Sequence, residues 1–153
     1  MSSVVIDNDV MNLYNTVQGT REVDNIDAYR ELFVWLREEG VLVLSRKLLN
    51  EYKTSFHQSP SLSGLIDMLM KDGRVTTYDS AEIKKAKAGF PKKITRKFQS
   101  TSTDRNHIAL VVLSPRKKCL SRDEKLRVDI NGLPKVDGIK PEAIDPPVML
   151  FYS

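Results

Sequence analysis

Short all-apolar segments alternate with longer segments in which apolar and polar residues recur at helical spacing. The runs Val4–Ile6, Val41–Leu44 and Cys119–Leu120 contain no polar position. Such runs are typical of strands that are buried on both faces of a parallel sheet. Val75–Tyr78 is a further candidate strand.

The segments between these runs predict helices. Apolar residues at i, i+3 and i+4 indicate one buried face on each, as in the segment that carries Trp35, which we expect in the core. Capping residues such as Ser45 and Ser80 and stops such as Gly40 bound the segments. The predicted helices span about 10–17 with an end near Gly19, 25–39, 46–56, 62–71, 81–88, 91–98 and 103–113.

Alternation of strands and helices predicts the class of fold. It indicates an α/β three-layer sandwich, with a central parallel sheet of four to five strands flanked by helices and joined by right-handed crossovers. The length of 153 residues favours one domain. We expect residues 1–130 to form its main body and residues 131–153 to form a Pro/Gly-containing extension packed on the same domain. Within the extension, Val148–Tyr152 is either a last edge strand or an apolar tail that docks on a partner.

Composition excludes some classes of protein. No apolar run approaches the ~18 residues needed to span a bilayer, so no membrane association is expected. Asp7 interrupts the first apolar run too early for a signal peptide. The single cysteine, Cys119, has no partner for an internal disulfide and is expected in the core. Together these features predict a cytoplasmic location.

Charge is distributed unevenly along the chain. Residues 1–80 carry eight Lys/Arg and twelve Asp/Glu, whereas residues 81–153 carry sixteen and eight. The most basic segment, from Lys84 to Lys97, contains no acid. It is either a solvated face or a surface that follows a phosphate backbone. Its cations are Lys84, Lys85, Lys87, Lys92, Lys93, Arg96 and Lys97.

Four carboxylates are expected near one edge of the predicted sheet. Asp7 and Asp123 follow strands, Glu51 lies in the helix after the second strand, and Asp104 begins the helix before Cys119. Crowded carboxylates repel one another, and a divalent cation relieves that repulsion. Oxygen ligands without a Cys or His cluster favour Mg²⁺ or Mn²⁺, which suits hydrolysis of phosphodiesters.

The order of four segments resembles the PIN domain family over about residues 4–126. The segments are VVIDNDVMNLY, VLVLSRKLLNEY, TDRNHIAL and KCLSRDEKL. The resemblance implies a parallel sheet flanked by helices, with Asp7, Glu51, Asp104 and Asp123 as Mg²⁺ or Mn²⁺ ligands and Ser121 beside them. PIN domains are mostly ribonucleases, and many are VapC-type toxins that pair with a small antitoxin.

Further positions carry roles in this interpretation. Asp9 is a supporting ligand, since the family often has Asn, Ser or Asp there. Arg122 replaces the usual Asn or Asp, so it either weakens metal binding or contacts a phosphate. His107 lies one turn after Asp104 and either approaches the metal and substrate or is a solvated helix residue. The expected substrate contacts are Ser121, Arg122, Arg105, His107 and the seven cations of the Lys84–Lys97 segment.

These features lead to one principal hypothesis and two alternatives. The principal hypothesis is a metal-dependent endoribonuclease that cleaves RNA phosphodiesters, in which the protein supplies no nucleophile. Toxin–antitoxin function and a homodimer are both compatible with it, and Lys84–Lys97 or Val148–Tyr152 would serve as the interface. The alternatives are an inactive PIN-like module for nucleic-acid binding or assembly, and a nuclease that acts on DNA.

Overall fold

The computed structural model describes residues 2–18 and 24–153. Within these residues, strands and helices alternate along the chain. The strands are β1 (Ser3–Ile6), β2 (Val41–Ser45), β3 (Val75–Tyr78), β4 (Lys118–Leu120) and β5 (Glu142–Ile144). The helices are α1 (Asn8–Met11), α2 (Leu13–Gln18), α3 (Ile26–Glu38), α4 (Arg46–Lys53), α5 (Pro60–Lys71), α6 (Ser80–Ala88), α7 (Lys92–Thr95), α8 (Asp104–Leu113), α9 (Glu124–Asn131) and α10 (Met149–Tyr152).

The five strands form one parallel sheet in the order β3-β2-β1-β4-β5, and helices flank it. The predicted α/β class and parallel sheet are therefore confirmed. Every residue of β1 and β2 is buried, as expected for strands covered on both faces.

The chain reverses direction across the sheet between β1 and β4. From β1 it proceeds outward to β2 and β3, then returns to place β4 on the other side of β1. Helices that leave two neighbouring strands in opposite directions open a crevice at the carboxyl ends of those strands. The residues that directly follow β1 and β4 are Asp7 and Ser121, so the crevice lies where carboxylates were predicted.

Local hydrogen bonds explain where helices begin. Ser45 caps α4 as predicted, because its hydroxyl accepts a bond from Leu48 N at 3.1 Å. The expectation that Ser80 caps α6 is wrong: Asp79 is the cap, and it exchanges bonds with Glu82 in a capping box. The helix predicted over 10–17 is divided at Asn12 into α1 and α2. Its end near Gly19 lies outside the described residues.

Trp35 and Cys119 lie in the core, as the sequence predicts, with 5% and 1% of their surface exposed. The Trp35 ring packs against Tyr152, with ring centroids 4.8 Å apart. It also covers Gly40, where an added Cβ would lie 2.7 Å from the ring. Gly40 is therefore required by this close approach of the ring.

The segment after α9 completes the sheet. β5 pairs in parallel with β4, a strand that the turn-rich sequence concealed. Of the two alternatives for Val148–Tyr152, the edge strand is wrong, since residues 149–152 form α10 and bury Phe151 and Tyr152. Lys118 Nζ donates to Phe151 O at 2.8 Å and so fixes this helix against β4. Within the described residues, no helix combines the length and apolar character that crossing a membrane requires.

Candidate active site

Asp7 and Ser121 meet at the carboxyl ends of β1 and β4. Ile6 is in register with Leu120, and Asp7 N donates to Leu120 O at 2.8 Å. The Ser121 hydroxyl donates to Asp7 Oδ2 at 2.7 Å and accepts a bond from Asp123 N at 3.1 Å. Ser121 is fully buried and thus links Asp7 to the start of α9.

Asp9 lies on α1 beside Asp7. Its carboxylate accepts a bond from Arg122 N, at 3.2 Å to Oδ1 and 3.1 Å to Oδ2. Burial, and then the charge of Asp7, raise the pKa of Asp9 to about 6. Burial is also the main cause that raises the pKa of Asp7, against the lowering effect of the bond from Ser121. Both carboxylates therefore carry their charge at a cost that a cation would relieve.

Glu51 faces this pair from α4. Its Oε2 lies 2.6 Å from Nε2 of His107, which is on α8 and only 2% exposed. Tyr52, the next residue of α4, donates its hydroxyl to Ile6 O and so fixes the helix against the end of β1. The alternative that His107 is a solvated helix residue is therefore wrong.

The protonation of His107 follows from its surroundings. Burial opposes the charged imidazolium, but contact with Glu51 and the charges of Asp7 and Asp104 outweigh it and raise the pKa of His107. The raised pKa favours the charged imidazolium inside a group of carboxylates, which we call the carboxylate cluster. The cluster consists of Asp7, Asp9, Glu51, Asp104 and Asp123.

The two remaining members of the cluster make local bonds. Asp104 Oδ2 accepts from the Thr101 hydroxyl at 3.0 Å, at the entry of α8. Asp123 caps α9 by accepting from Leu126 N at 3.2 Å. Both carboxylates still act electrostatically on other residues of the site. The charge of Asp104 contributes to the raised pKa of His107, and the charge of Asp123 contributes to the raised pKa of Asp9.

The carboxylate oxygens of this cluster are the kind of ligand that a divalent cation binds, but the side chains are not arranged around one point. Among residues 2–18 and 24–153, no three His, Cys, Asp or Glu side chains are arranged to hold a metal ion. The donors are nevertheless carboxylate oxygens, which Mg²⁺ and Mn²⁺ prefer. Glu51 Oε2 is buried and, apart from its ionic contact with His107, has no hydrogen-bond partner within the described part of the chain. The donor atoms of these residues therefore fit the chemistry of a divalent cation.

The predicted substrate contacts are spread over a wider surface. Arg105 places its guanidinium 5.6 Å from the centre of the Phe98 ring. Lys84 and Lys87 line a cavity beside α4, whereas Lys85 lines a different cavity on the other side of α6. The exposed cations of the segment around α7 are Lys92, Lys93, Arg96 and Lys97.

The sequence interpretation missed two kinds of residue near the site. Arg46 and Lys47 directly follow β2 and line the same cavity as Lys84; the rule that strand ends carry functional residues could have found them. Asp129 is buried and accepts bonds from Gln99 N and Ser100 N, each at 2.8 Å. These bonds fix the loop that leads into α8, and no pattern in the sequence indicates them.

Comparison with known proteins supports the fold. No protein-family model matches this chain, and no curated protein matches it at a significant level. Its structure is similar to one described as VapBC2 from Rickettsia felis bound to a DNA fragment from their promoter. The match has a TM-score of 0.55 and 11% identity, and covers 92% of this chain and 98% of that one. At that identity the likeness shows the fold alone, and any activity must be argued from the residues of this chain.

Proposed function

We propose that this protein is a metal-dependent endoribonuclease of PIN-like fold. Asp7, Glu51, Asp104 and Asp123 would hold Mg²⁺ or Mn²⁺, with Asp9 as a supporting ligand. Basic residues of α6 and α7, with Arg105 and Arg122 nearer the cluster, would hold the RNA backbone. His107 acts through Glu51 and is a positioning residue.

The observation that carries the proposal is the junction of Asp7, Ser121 and Asp123 at the reversal of the sheet. Separate segments of the chain bring these residues to the carboxyl ends of adjacent strands, together with Asp9 and Glu51. The raised pKa values of Asp7 and Asp9 show that the fold holds these carboxylates against their own electrostatic preference. Perturbed titration of grouped acids in a crevice is typical of functional sites.

Several residues of this chain would position the groups that take part in the reaction. A bound divalent cation would supply Lewis acidity at the scissile phosphate and make a water molecule more acidic. Ser121 restrains Asp7 through its hydroxyl, and Tyr52 fixes the end of β1 from which Asp7 projects. His107 contacts the carboxylate of Glu51 and would hold it close to the cluster. The positive charge of Arg122, at the rim, suits contact with a phosphate of the substrate.

A second function is favoured by a specific observation. Within the described residues, no three acidic or histidine side chains form a ready metal cage, and His107 contacts the carboxylate of Glu51. A PIN-like module that binds nucleic acid without cleaving it fits this arrangement. Mn²⁺ separates the two functions, because a ligand that binds only the folded state raises its melting temperature.

Partner proteins form part of the proposal. The structure of similar fold is described as VapBC2 bound to a promoter DNA fragment, and VapC-type toxins pair with small antitoxins. We therefore infer a small protein partner, or pairing of two copies, as regulators of cleavage. Light scattering on the purified chain, alone and with a co-expressed candidate partner, measures the mass of each assembly.

The decisive experiment measures cleavage of labelled single-stranded RNA with Mn²⁺ and with EDTA. We expect wild type to cut only with metal, and Asp7→Asn to cut at least about a hundredfold more slowly, since the removed charge belongs to the centre of the cluster. Asp67→Asn is the matched control, because Asp67 is exposed on α5. Labelled single-stranded DNA tests the remaining alternative substrate.

Two results would contradict the proposal. Cleavage that persists in EDTA would exclude the metal, and equal rates for Asp7→Asn and wild type would exclude the cluster. Tight RNA binding with no cleavage and no thermal shift in Mn²⁺ would instead favour the non-cleaving module.

A further inference from the structure

A cavity of about 410 Å³ opens beside the carboxylate cluster, at the ends of β2 and β3. The start of α4, the end of β3, one face of α6 and the first turn of α8 enclose it. We call it the basic pocket. Its lining residues are Ser45, Arg46, Lys47, Tyr78, Ser80, Ile83, Lys84, Lys87 and Asn106.

The basic pocket carries uncompensated positive charge. Arg46, Lys47, Lys84 and Lys87 line it, no described lining residue is acidic, and none of these four forms an ion pair within residues 2–18 and 24–153. The carboxylate nearest in sequence, Asp79, is engaged in the capping box of α6. Four cations around one concave site favour an anionic ligand with several acceptor oxygens, such as a phosphate.

The remaining lining groups favour a ligand that is more than a phosphate. Ile83 and the ring of Tyr78 supply apolar surface, and the Tyr78 hydroxyl is fixed by its bond to Leu113 O at 2.8 Å. Ser80 and Asn106 add hydrogen-bonding groups beside that surface. The volume is in the range of pockets for small organic ligands. A nucleotide has a flat base for the apolar surface and a phosphate for the cations.

We propose that the basic pocket binds one nucleotide, with Arg46, Lys84 and Lys87 on its phosphate and the base against Tyr78 and Ile83. The inference rests on the proposed function for its preferred source, a nucleotide of the RNA strand that is being cleaved. The pocket adjoins the cluster through shared elements. Asn106 lies on α8 between Asp104 and His107, and α4 carries both Arg46 and Glu51. A free nucleotide has the same chemistry and is the other source.

Binding of two probes in EDTA tests the inference without any cleavage. The probes are a fluorescent single-stranded RNA oligonucleotide and adenosine monophosphate as its competitor. We expect the double variant Lys84→Ala with Lys87→Ala to bind the RNA at least tenfold more weakly. The slope of log affinity against log salt should become shallower by about 1.4, since each lost phosphate contact on a single strand contributes about 0.7.

The control removes the same charge elsewhere. Lys71→Ala with Lys135→Ala deletes two exposed lysines that do not line the pocket, and it should retain both the affinity and the salt slope. Equal weakening in the two double variants would overturn the inference, because net charge alone would then explain binding. The inference would also be overturned if wild type bound neither the RNA nor adenosine monophosphate.

The two nucleotide sources give different results, and each supports the pocket. Displacement of RNA by adenosine monophosphate in wild type identifies a site open to free nucleotides, whereas pocket-dependent RNA binding without displacement assigns the pocket to the strand. The nuclease proposal fails separately. If wild type binds RNA through the pocket but never cleaves it, the nuclease proposal is wrong and the pocket inference stands. If the double lysine variant cleaves RNA with unchanged KM, the pocket inference is wrong and the nuclease proposal stands.

Discussion

The carboxylate cluster and the basic pocket lie at the same edge of the sheet but hold charge in opposite ways. Residues that directly follow parallel strands build both, Asp7 after β1 and Arg46 after β2. The acids of the cluster are half-buried, and burial raises the pKa values of Asp7 and Asp9. The cations of the pocket face a cavity open to solvent, where charge costs little to maintain.

This difference indicates a division of labour. Charge that is held against desolvation has a large interaction with a bound cation, because the local dielectric constant is low. Charge on flexible, solvated side chains attracts phosphates at long range and weakens with salt. The cluster is therefore suited to the chemical step, and the pocket is suited to binding the substrate. Variants on the cluster side should change kcat, and variants on the pocket side should change affinity.

Ser121→Ala should show the largest effect of the remaining tests. The hydroxyl donates to Asp7 and accepts the N–H of Asp123, so its loss frees two of the proposed ligands at once. We expect kcat for RNA cleavage to fall about thirtyfold, a loss of about 2 kcal/mol in transition-state stabilisation, with a small change in KM. Steady-state kinetics in Mn²⁺ measures both constants.

The control for this variant is Ser114→Ala. Ser114 is also buried, and its hydroxyl bonds to Val111 O at the end of α8, away from the cluster. Ser114→Ala loses one buried hydrogen bond and Ser121→Ala loses two, and each lost bond should lower the stability by about 1 kcal/mol. A similar fall in kcat for the two would assign the effect to folding and remove the special role of Ser121.

Most of the fold could be predicted from the sequence, because the buried strands of a parallel sheet are visible as apolar runs. β1 and β2 are fully buried, and their runs predicted them almost to the residue. β5 was missed because its three residues include the exposed Glu142 and are surrounded by prolines and turns, so tertiary pairing with β4 decides its conformation.

The candidate site was predictable in part for the same reason. Asp7 was found because it directly follows a strand, and strand ends are local features. The contact between Glu51 and His107 depends on how α4 and α8 pack, and the sequence alone left His107 undecided between site and solvent. The bond from Ser121 to Asp7 joins residues 114 positions apart, which only the register of β1 and β4 establishes.

His107→Gln should show how much of the stability of the fold depends on the charge of His107. The raised pKa of His107 means that its stabilising charge is fully present below its unfolded pKa of about 6.5 and is lost as pH rises through the higher folded pKa. At pH 6 we expect a loss of about 2 kcal/mol, less than for a fully buried pair because a third of the Glu51 side chain is exposed. Urea unfolding measures the free energy of unfolding of wild type and of His107→Gln at pH 6 and pH 9. The difference between the two proteins should be smaller at pH 9.

His57→Gln is the matched control, because His57 is exposed and should change stability little at either pH. A gap between wild type and His107→Gln that is the same at pH 6 and pH 9 would contradict a charged imidazolium beside Glu51. In that case lost packing alone would explain the destabilisation.

Asp9→Asn should show the smallest effect, with the opposite sign. The pKa of Asp9, about 6 in the folded protein, lies above its ordinary value of 3.8, so the folded state binds the proton more tightly than the unfolded state does. Its charge therefore destabilises the fold above pH 6, and the penalty disappears as pH falls from 6 toward 3.8. We expect Asp9→Asn to be more stable than wild type by about 1 kcal/mol at pH 8 without metal, after allowance for solvent screening.

Thermal unfolding across pH measures this prediction, and the gain should vanish near pH 4. Added Mn²⁺ should reverse the order at pH 8, because wild type keeps the carboxylate that a cation would use and gains more from binding. Asp67→Asn, which removes an exposed carboxylate of α5, should change neither comparison. If Asp9→Asn were less stable than wild type at pH 8 without metal, Asp9 would serve the fold through its bond with Arg122 N. The contrast between a desolvated cluster and a solvated pocket would then rest on Asp7 alone.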